Sequence, residues 1–338
     1  MPTKSPVLVD LKFSPEIIAK ALETAFADRG SINLADPAHK GADLGHVDYA
    51  LLWKPDADLF ERAPNLKVIF SGGAGVDSMM SIAGLPDVPI VRFVDRSLTT
   101  RMSEWVVMQC LMHLRDVQGH FKNQRQHVWA QQQGPEAADI TVGVMGLGVL
   151  GCDAAAKLKV MGFNVIGWSR NKKQIDGMET FDAGELDAFL ARTDILVGLL
   201  PLTPETTGIY NAALFSRLRR DGALGKPVFI NAGRGKSQVQ ADIASAIRTG
   251  VLGGASLDVF DVEPLAASDP LWDLENVIIT PHDSAVSEEK EANNTRICSH
   301  AYETVSTLVL INTPNSSSIS VELNCHVGIF FIFSMNLI

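Results

Sequence analysis

Three residues able to hold an acid and move a proton stand in fixed order in the second half of the chain: Arg234 in INAGRG, Glu263 in LDVFDVEP and His282 in TPHDSA. An arginine fork grips a carboxylate through two hydrogen bonds, and a histidine exchanges a proton near neutral pH. A glutamate beside that imidazole would orient it and favour its protonated form. Asp258 lies in the same LDVFDVEP stretch. Each of these segments follows or closes a short apolar run that reads as a strand. In a doubly wound sheet the carboxyl ends of the strands form the ligand crevice, so the order predicts that these side chains converge beside a cofactor. Taken singly, an Arg in a Gly-rich turn also suits a structural ion pair, and a His after Pro a capped turn. Together they point to catalysis.

The cofactor itself is announced upstream. ITVGVM runs directly into GLGVLG, with Gly146, Gly148 and Gly151 framing Val149 and Leu150, and then into the helix-forming DAAAKLKVMG. Such glycines allow a tight turn, close approach of the backbone to a pyrophosphate, and close helix-to-strand packing, while the helix N-terminus offers N–H groups to phosphates. Strand before, helix after and second strand beyond make this a dinucleotide loop. Where that second strand ends, an NAD site holds Asp or Glu for the ribose 2′-hydroxyl. This chain has WSRNKK, with Ser169, Arg170, Lys172 and Lys173. A hydroxyl beside cations binds a 2′-phosphate through charge-assisted hydrogen bonds. NADP(H) is therefore the expected cofactor, with NAD(H) possible.

These loops need strands to carry them. From residue 140 onward short β-rich runs alternate with helical stretches: ITVGVM (140–145), FNVIGW (163–168), ILVGLL (195–200), PVFIN (227–231), ASLDV (255–259) and VIIT (277–280). An earlier series comprises VLVD (7–10), VDYALLW (47–53), KVIFS (67–71) and PIVRFV (89–94). Alternation of this kind predicts an α/β protein with two parallel sheets, each covered by helices. Ser14, Pro15 and Glu16 read as a helix start, and Ile18, Leu22 and Phe26 as its buried stripe. Met102 to Trp129 reads as one long connecting helix, with His113, His120 and His127 brought towards one face. Seven-residue spacing does not suit a metal pair, so that face is expected to be solvated or an interface, and no metal site is expected.

The chain has 338 residues, enough for two domains at about 150 residues each. With 46% hydrophobic and 20% charged residues it has the profile of a packed globular protein. Its net charge of −10 opposes binding to nucleic acid or anionic membranes. The four cysteines form no C-x-x-C pair and read as reduced thiols. No secretory signal or bilayer-length apolar run is apparent, so a cytoplasmic location is expected.

The order of GLGVLG, LLPLTPET, INAGRG, LDVFDVEPL and TPH resembles the D-isomer-specific 2-hydroxyacid dehydrogenase family over roughly residues 45–300. GGAGVD (72–77), the WSR turn and the PLW near residue 271 are most similar to its NADPH-preferring glyoxylate/hydroxypyruvate reductase A branch. The resemblance implies that Arg234 clamps a small 2-oxo acid, that His282 donates a proton to the carbonyl oxygen as hydride arrives, and that Glu263 holds His282 charged and aligned. It further implies that Asp258 and the Leu200–Pro201 turn border the nicotinamide and that Ser169 with Arg170 meets the adenosine ribose; Lys173 and Ala232 are further expected cofactor contacts. The backbone N–H groups of Gly73, Ala74 and Gly75 would bind the substrate carboxylate, and Trp53 would either narrow the pocket towards small substrates or serve as a core residue.

By the same resemblance, residues 1–103 and 287–311 form the substrate-binding domain, with a Rossmann-like domain at 104–286 inserted between them, and the protein is a homodimer. Closure of the two domains would assemble the site and exclude water. Residues 312–338 depart from the family: NTPNSSSIS is a polar linker, and VGIFFIF (327–333) is too short to span a bilayer. Two other readings share the scaffold. One is an NAD-dependent dehydrogenase for a larger 2-hydroxy acid, and the other a non-catalytic nucleotide-sensing protein.

Overall fold

The computed structural model describes residues 5–12, 16, 18–19, 22–23, 26–27, 30–73, 75–91 and 96–286, with the backbone of Phe331–Ile332. The chain divides into two compact units, Met1–Asp95 with Ser287–Ile338, and Arg96–Val286. The connecting helix Arg96–Leu114 belongs whole to the second unit, so the division falls at 95/96, before the 103/104 expected from the sequence. The expected return helix at 287–311 and the tail at 312–338 lie outside the described residues, apart from Phe331–Ile332.

In the first unit β1 (Val7–Leu11), β2 (Ser31–Asn33), β3 (Tyr49–Trp53), β4 (Val68–Ser71) and β5 (Ile90–Val91) run parallel in the spatial order 5-4-3-1-2. This is the flavodoxin-like order. Both faces are covered, which is why β1 and β4 are buried at every position. Ile18, Leu22 and Phe26 pack on one face with Val9, Leu51 and Phe70, and Leu8, Leu52, Phe60 and Ile69 form the core on the other.

The second unit holds β6 (Thr141–Met145), β7 (Asn164–Trp168), β8 (Glu179–Phe181), β9 (Ile195–Gly198), β10 (Val228–Asn231), β11 (Gly254–Leu257) and β12 (Val277–Ile279). Their order is 12-11-10-9-6-7-8, all parallel, so the chain reverses direction across the sheet between β6 and β9. Ligands of open α/β sheets sit outside the strand ends at such a reversal. One core cluster gathers Phe189, Tyr210, Phe215 and Phe229, and a second gathers Val106, Val142, Leu158 and Ile230.

Two details depart from expectation. A thirteenth strand, β13 (Phe331–Ile332), pairs antiparallel with β5, placing an antiparallel edge on an otherwise parallel sheet. The single long helix over 102–129 is two helices, Arg96–Leu114 and Val117–Arg125. Asp116 between them adopts a left-handed backbone with φ 44°, and its side chain accepts the Gly119 N–H at 3.2 Å to start the second helix. The break removes the shared histidine face. His113 packs inward on Ser256, while His120 and His127 are exposed.

Candidate active site

The glycine loop closes between the two central strands. Gly146 has φ 114°, and a Cβ there would press on Leu199 O at 2.6 Å, so only glycine brings the end of β6 this near the end of β9. Gly151 faces the carbonyl of Gly146, so helix and turn pack with no room for a side chain. Gly148 differs. It caps helix Val149–Val160, and open space lies where its Cβ would stand. Free N–H groups at a helix start next to an unobstructed glycine fit a pyrophosphate. Val149 and Leu150 are half-buried in the first turn; Leu200 and Ala232 are buried at the neighbouring strand ends, and Pro201 is exposed.

The turn after β7 sorts its cations. Lys172 is paired with Glu185 at 2.8 Å. Lys173 donates to Leu147 O at 2.7 Å and so braces the glycine loop from beneath. Arg170 is exposed and, among the described residues, makes no ion pair, while Ser169 Oγ donates to Asn171 O at 2.7 Å. A hydrogen bond from Thr203, and more weakly the charge of Arg170, hold the Glu205 carboxyl below its ordinary range. The residues present fit a dinucleotide, with Arg170 as the cation free to meet a 2′-phosphate.

Beyond β12 the chemistry is assembled. His282 Nδ1 lies 2.8 Å from Glu263 Oε2, and the other oxygen of Glu263 accepts the Phe260 N–H at 3.0 Å. The glutamate is thereby held from one side and the imidazole from the other, which leaves Nε2 as the ring nitrogen free to meet a substrate. His282 is half exposed and carries a left-handed backbone with φ 57°, a conformation that persists only where its surroundings impose it. The imposing group is Asp258. Fully buried, it accepts Thr280 Oγ1 at 2.6 Å, the Asp283 N–H at 3.0 Å and the Ser284 N–H at 3.2 Å. Burial and the Asp258 anion push the Asp283 carboxyl up. Asp258 therefore holds the turn around His282. Its anchoring partner Thr280 was not among the candidate residues, because a threonine at a strand end carries no sequence signal of its own.

Arg234 follows β10 on a loop whose backbone is held from within. Its guanidinium donates to Gly233 O at 2.9 Å, and its carbonyl accepts Ser237 Oγ at 2.5 Å. In the first unit the ring of Trp53, half-buried at the end of β3, lies over Gly73, leaving no room for a Cβ there. Gly75 is half-buried, and Ala74 lies outside the described residues. Among the described residues no group of three or more His, Cys, Asp or Glu could hold a metal ion.

Residues 107–284 match the family model for the D-isomer specific 2-hydroxyacid dehydrogenase NAD binding domain, which is more than half of this chain. The chain belongs to that family. Among curated proteins this dehydrogenase is 38% identical over 252 residues to glyoxylate/hydroxypyruvate reductase A of Yersinia enterocolitica, covering 72% of this chain and 79% of that one. Among solved structures it is similar to a probable 2-hydroxyacid dehydrogenase from Rhizobium etli in complex with NADP, HEPES and L(+)-tartaric acid. That match has 70% identity and a TM-score of 0.86, over 91% of this chain and 96% of the other. It is also similar to an NADPH-dependent glyoxylate/hydroxypyruvate reductase from Sinorhizobium meliloti in complex with NADP and sulfate, with 59% identity and a TM-score of 0.84 over the same shares.

Proposed function

We propose that this dehydrogenase reduces the small 2-oxo acids glyoxylate and hydroxypyruvate to glycolate and glycerate with NADPH. The observation that carries the reading is the 2.8 Å contact of His282 with Glu263 at the strand ends of a dinucleotide-binding sheet. NADPH, once bound, supplies the hydride that the carbonyl carbon takes up. Negative charge then develops on the carbonyl oxygen, and His282 Nε2–H delivers the proton that neutralises it. Glu263 opposes the imidazolium and fixes the ring. Arg234 grips the substrate carboxylate; in the first unit, residues 1–95 with 287–338, the backbone amides of Gly73, Ala74 and Gly75 are suited to an anion of the same kind. Trp53, packed over Gly73 in the first unit, favours small acids there. Gly146, Gly148, Val149, Leu150, Gly151, Leu200, Pro201 and Ala232 line the cofactor, and Ser169 and Arg170 take the 2′-phosphate.

The relatives support the substrate and cofactor: the Yersinia protein is named for glyoxylate and hydroxypyruvate, and the Rhizobium and Sinorhizobium structures hold NADP. The protein works as a homodimer through the second unit, where Phe121, Val128 and Trp129 are exposed, Trp129 to 96%. It resides in the cytoplasm, in keeping with free Cys110 and Cys152. No helix of the described residues is long and apolar enough to cross a membrane.

The test is a panel of initial rates with NADPH and NADH against glyoxylate, hydroxypyruvate and pyruvate. Fast NADPH oxidation with the first two acids, slower with pyruvate and slower with NADH, is the expected pattern. Tight NADPH binding with no oxidation by any of the three would overturn the reading.

A further inference from the structure

A buried amide pair lies beneath Arg234. Asn231, at the last position of β10, is fully buried, and Gln238 is 5% exposed. Asn231 Nδ2 donates to Gln238 Oε1 at 2.8 Å and to Arg234 O at 3.2 Å, while Asn231 Oδ1 accepts the Gly233 N–H at 3.0 Å. Gln238 Nε2 donates to Val259 O at 2.8 Å, and the Gln238 N–H reaches Gly235 O at 3.0 Å. Residues 233–235 are thus gripped one after another, with Arg234 at the centre. At the far end the grip lands on the strand-end segment that continues to Phe260, whose N–H holds Glu263. Gly235 packs against the Phe260 backbone with no room for a Cβ.

We propose that Asn231 and Gln238 are positioning residues that set the Arg234 loop in register with the Glu263–His282 pair, so that one carboxylate-bearing carbonyl compound meets the guanidinium and the imidazole together. The proposal rests on the reading of Arg234 as the substrate clamp. Apolar side chains in this space would take these partners from the Gly233 N–H and the Val259 carbonyl; the satisfied amide network instead fixes one conformation of the loop. A clamp displaced by a fraction of an ångström weakens substrate capture while leaving the cofactor loop, on other strands, untouched.

The experiment uses Gln238→Met, which keeps length and loses both hydrogen bonds, alone and combined with Arg234→Lys. Expected for Gln238→Met are a KM for glyoxylate raised about tenfold and an NADPH dissociation constant within about twofold of the wild type. In the Arg234→Lys background, whose KM is already raised, Gln238→Met should add almost nothing to KM, because the clamp it positions is gone. A Gln238→Met enzyme that melts earlier with unchanged KM, or one that raises KM by the same factor in both backgrounds, overturns the proposal alone. Arg234→Lys with unchanged KM overturns the clamp reading and the proposal with it. Should Gln238→Met fail to fold, Asn231→Ser, which keeps a side-chain acceptor for the Gly233 N–H, gives the same readout.

Discussion

Thr280 Oγ1 lies 2.6 Å from Asp258 Oδ1, and that carboxylate also takes the amides of Asp283 and Ser284, so the turn bearing His282 closes around one buried anion. Asp258→Asn keeps the shape and loses the charge and part of the accepting capacity. A net loss of about 2 kcal/mol of stability is expected from the disturbed buried hydrogen bonds, together with a fall in kcat of about tenfold as His282 leaves its left-handed conformation. Thermal melting and steady-state kinetics check both. Normal kcat in a destabilised protein would separate the turn from the chemistry.

The three cations after β7 predict three different outcomes. Arg170→Ala should weaken NADPH about tenfold or more and leave NADH nearly unchanged, because only NADPH carries the phosphate. Lys173→Ala should weaken both cofactors alike, since its ammonium holds Leu147 O in the shared loop. Lys172→Ala should change neither, being exposed and paired with Glu185. Titration of NADPH and NADH by fluorescence distinguishes all three.

His113 predicts an acid sensitivity remote from the site. Ser256 Oγ donates to Gln109 Oε1 at 2.8 Å, so it must accept from His113 Nε2–H at 2.9 Å, which fixes the neutral tautomer. Burial lowers the His113 pKa from 6.5 to about 4, with nearby Asp116 opposing the shift. The unfolded chain therefore takes up a proton at higher pH than the native one, and stability falls as pH drops from 6.5 towards 4. His113→Gln should flatten the melting temperature between pH 7 and pH 5. An equally steep acid loss in that variant would assign the sensitivity to other groups.

Glu263→Gln removes the charge facing the imidazolium but keeps the side-chain length. A fall in kcat of about a hundredfold is expected, within the range ascribed to a positioned proton donor, with NADPH affinity retained. Cofactor titration and turnover on one preparation check it.

Much of this was legible beforehand. Short apolar runs announce ten strands because a strand covered on both faces is apolar throughout. β2 and β8, three residues each, were missed, since so short a run leaves no periodicity to read. Arg234, Glu263 and His282 stand out because a carboxylate-binding, an orienting and a proton-moving residue follow successive apolar runs in fixed order. Asn231, Gln238 and Thr280 do not, because their role comes from burial, which polar residues conceal in a sequence. In sequence Lys173 stands among the cations expected to meet the cofactor; in the structure its amine meets a loop carbonyl 26 residues back, a pairing that only the fold creates. The break at Asp116 was hidden because helix formers flank it on both sides.

The central claim is that His282 delivers the proton, and His282→Gln tests it most directly. The variant is loaded with NADPH, its affinity measured, and glyoxylate added while the NADPH absorbance is followed. The account predicts near-normal NADPH binding with turnover reduced by about a thousandfold or more. Turnover close to wild type would contradict it, and loss of NADPH binding would show that His282 holds the cofactor site together instead.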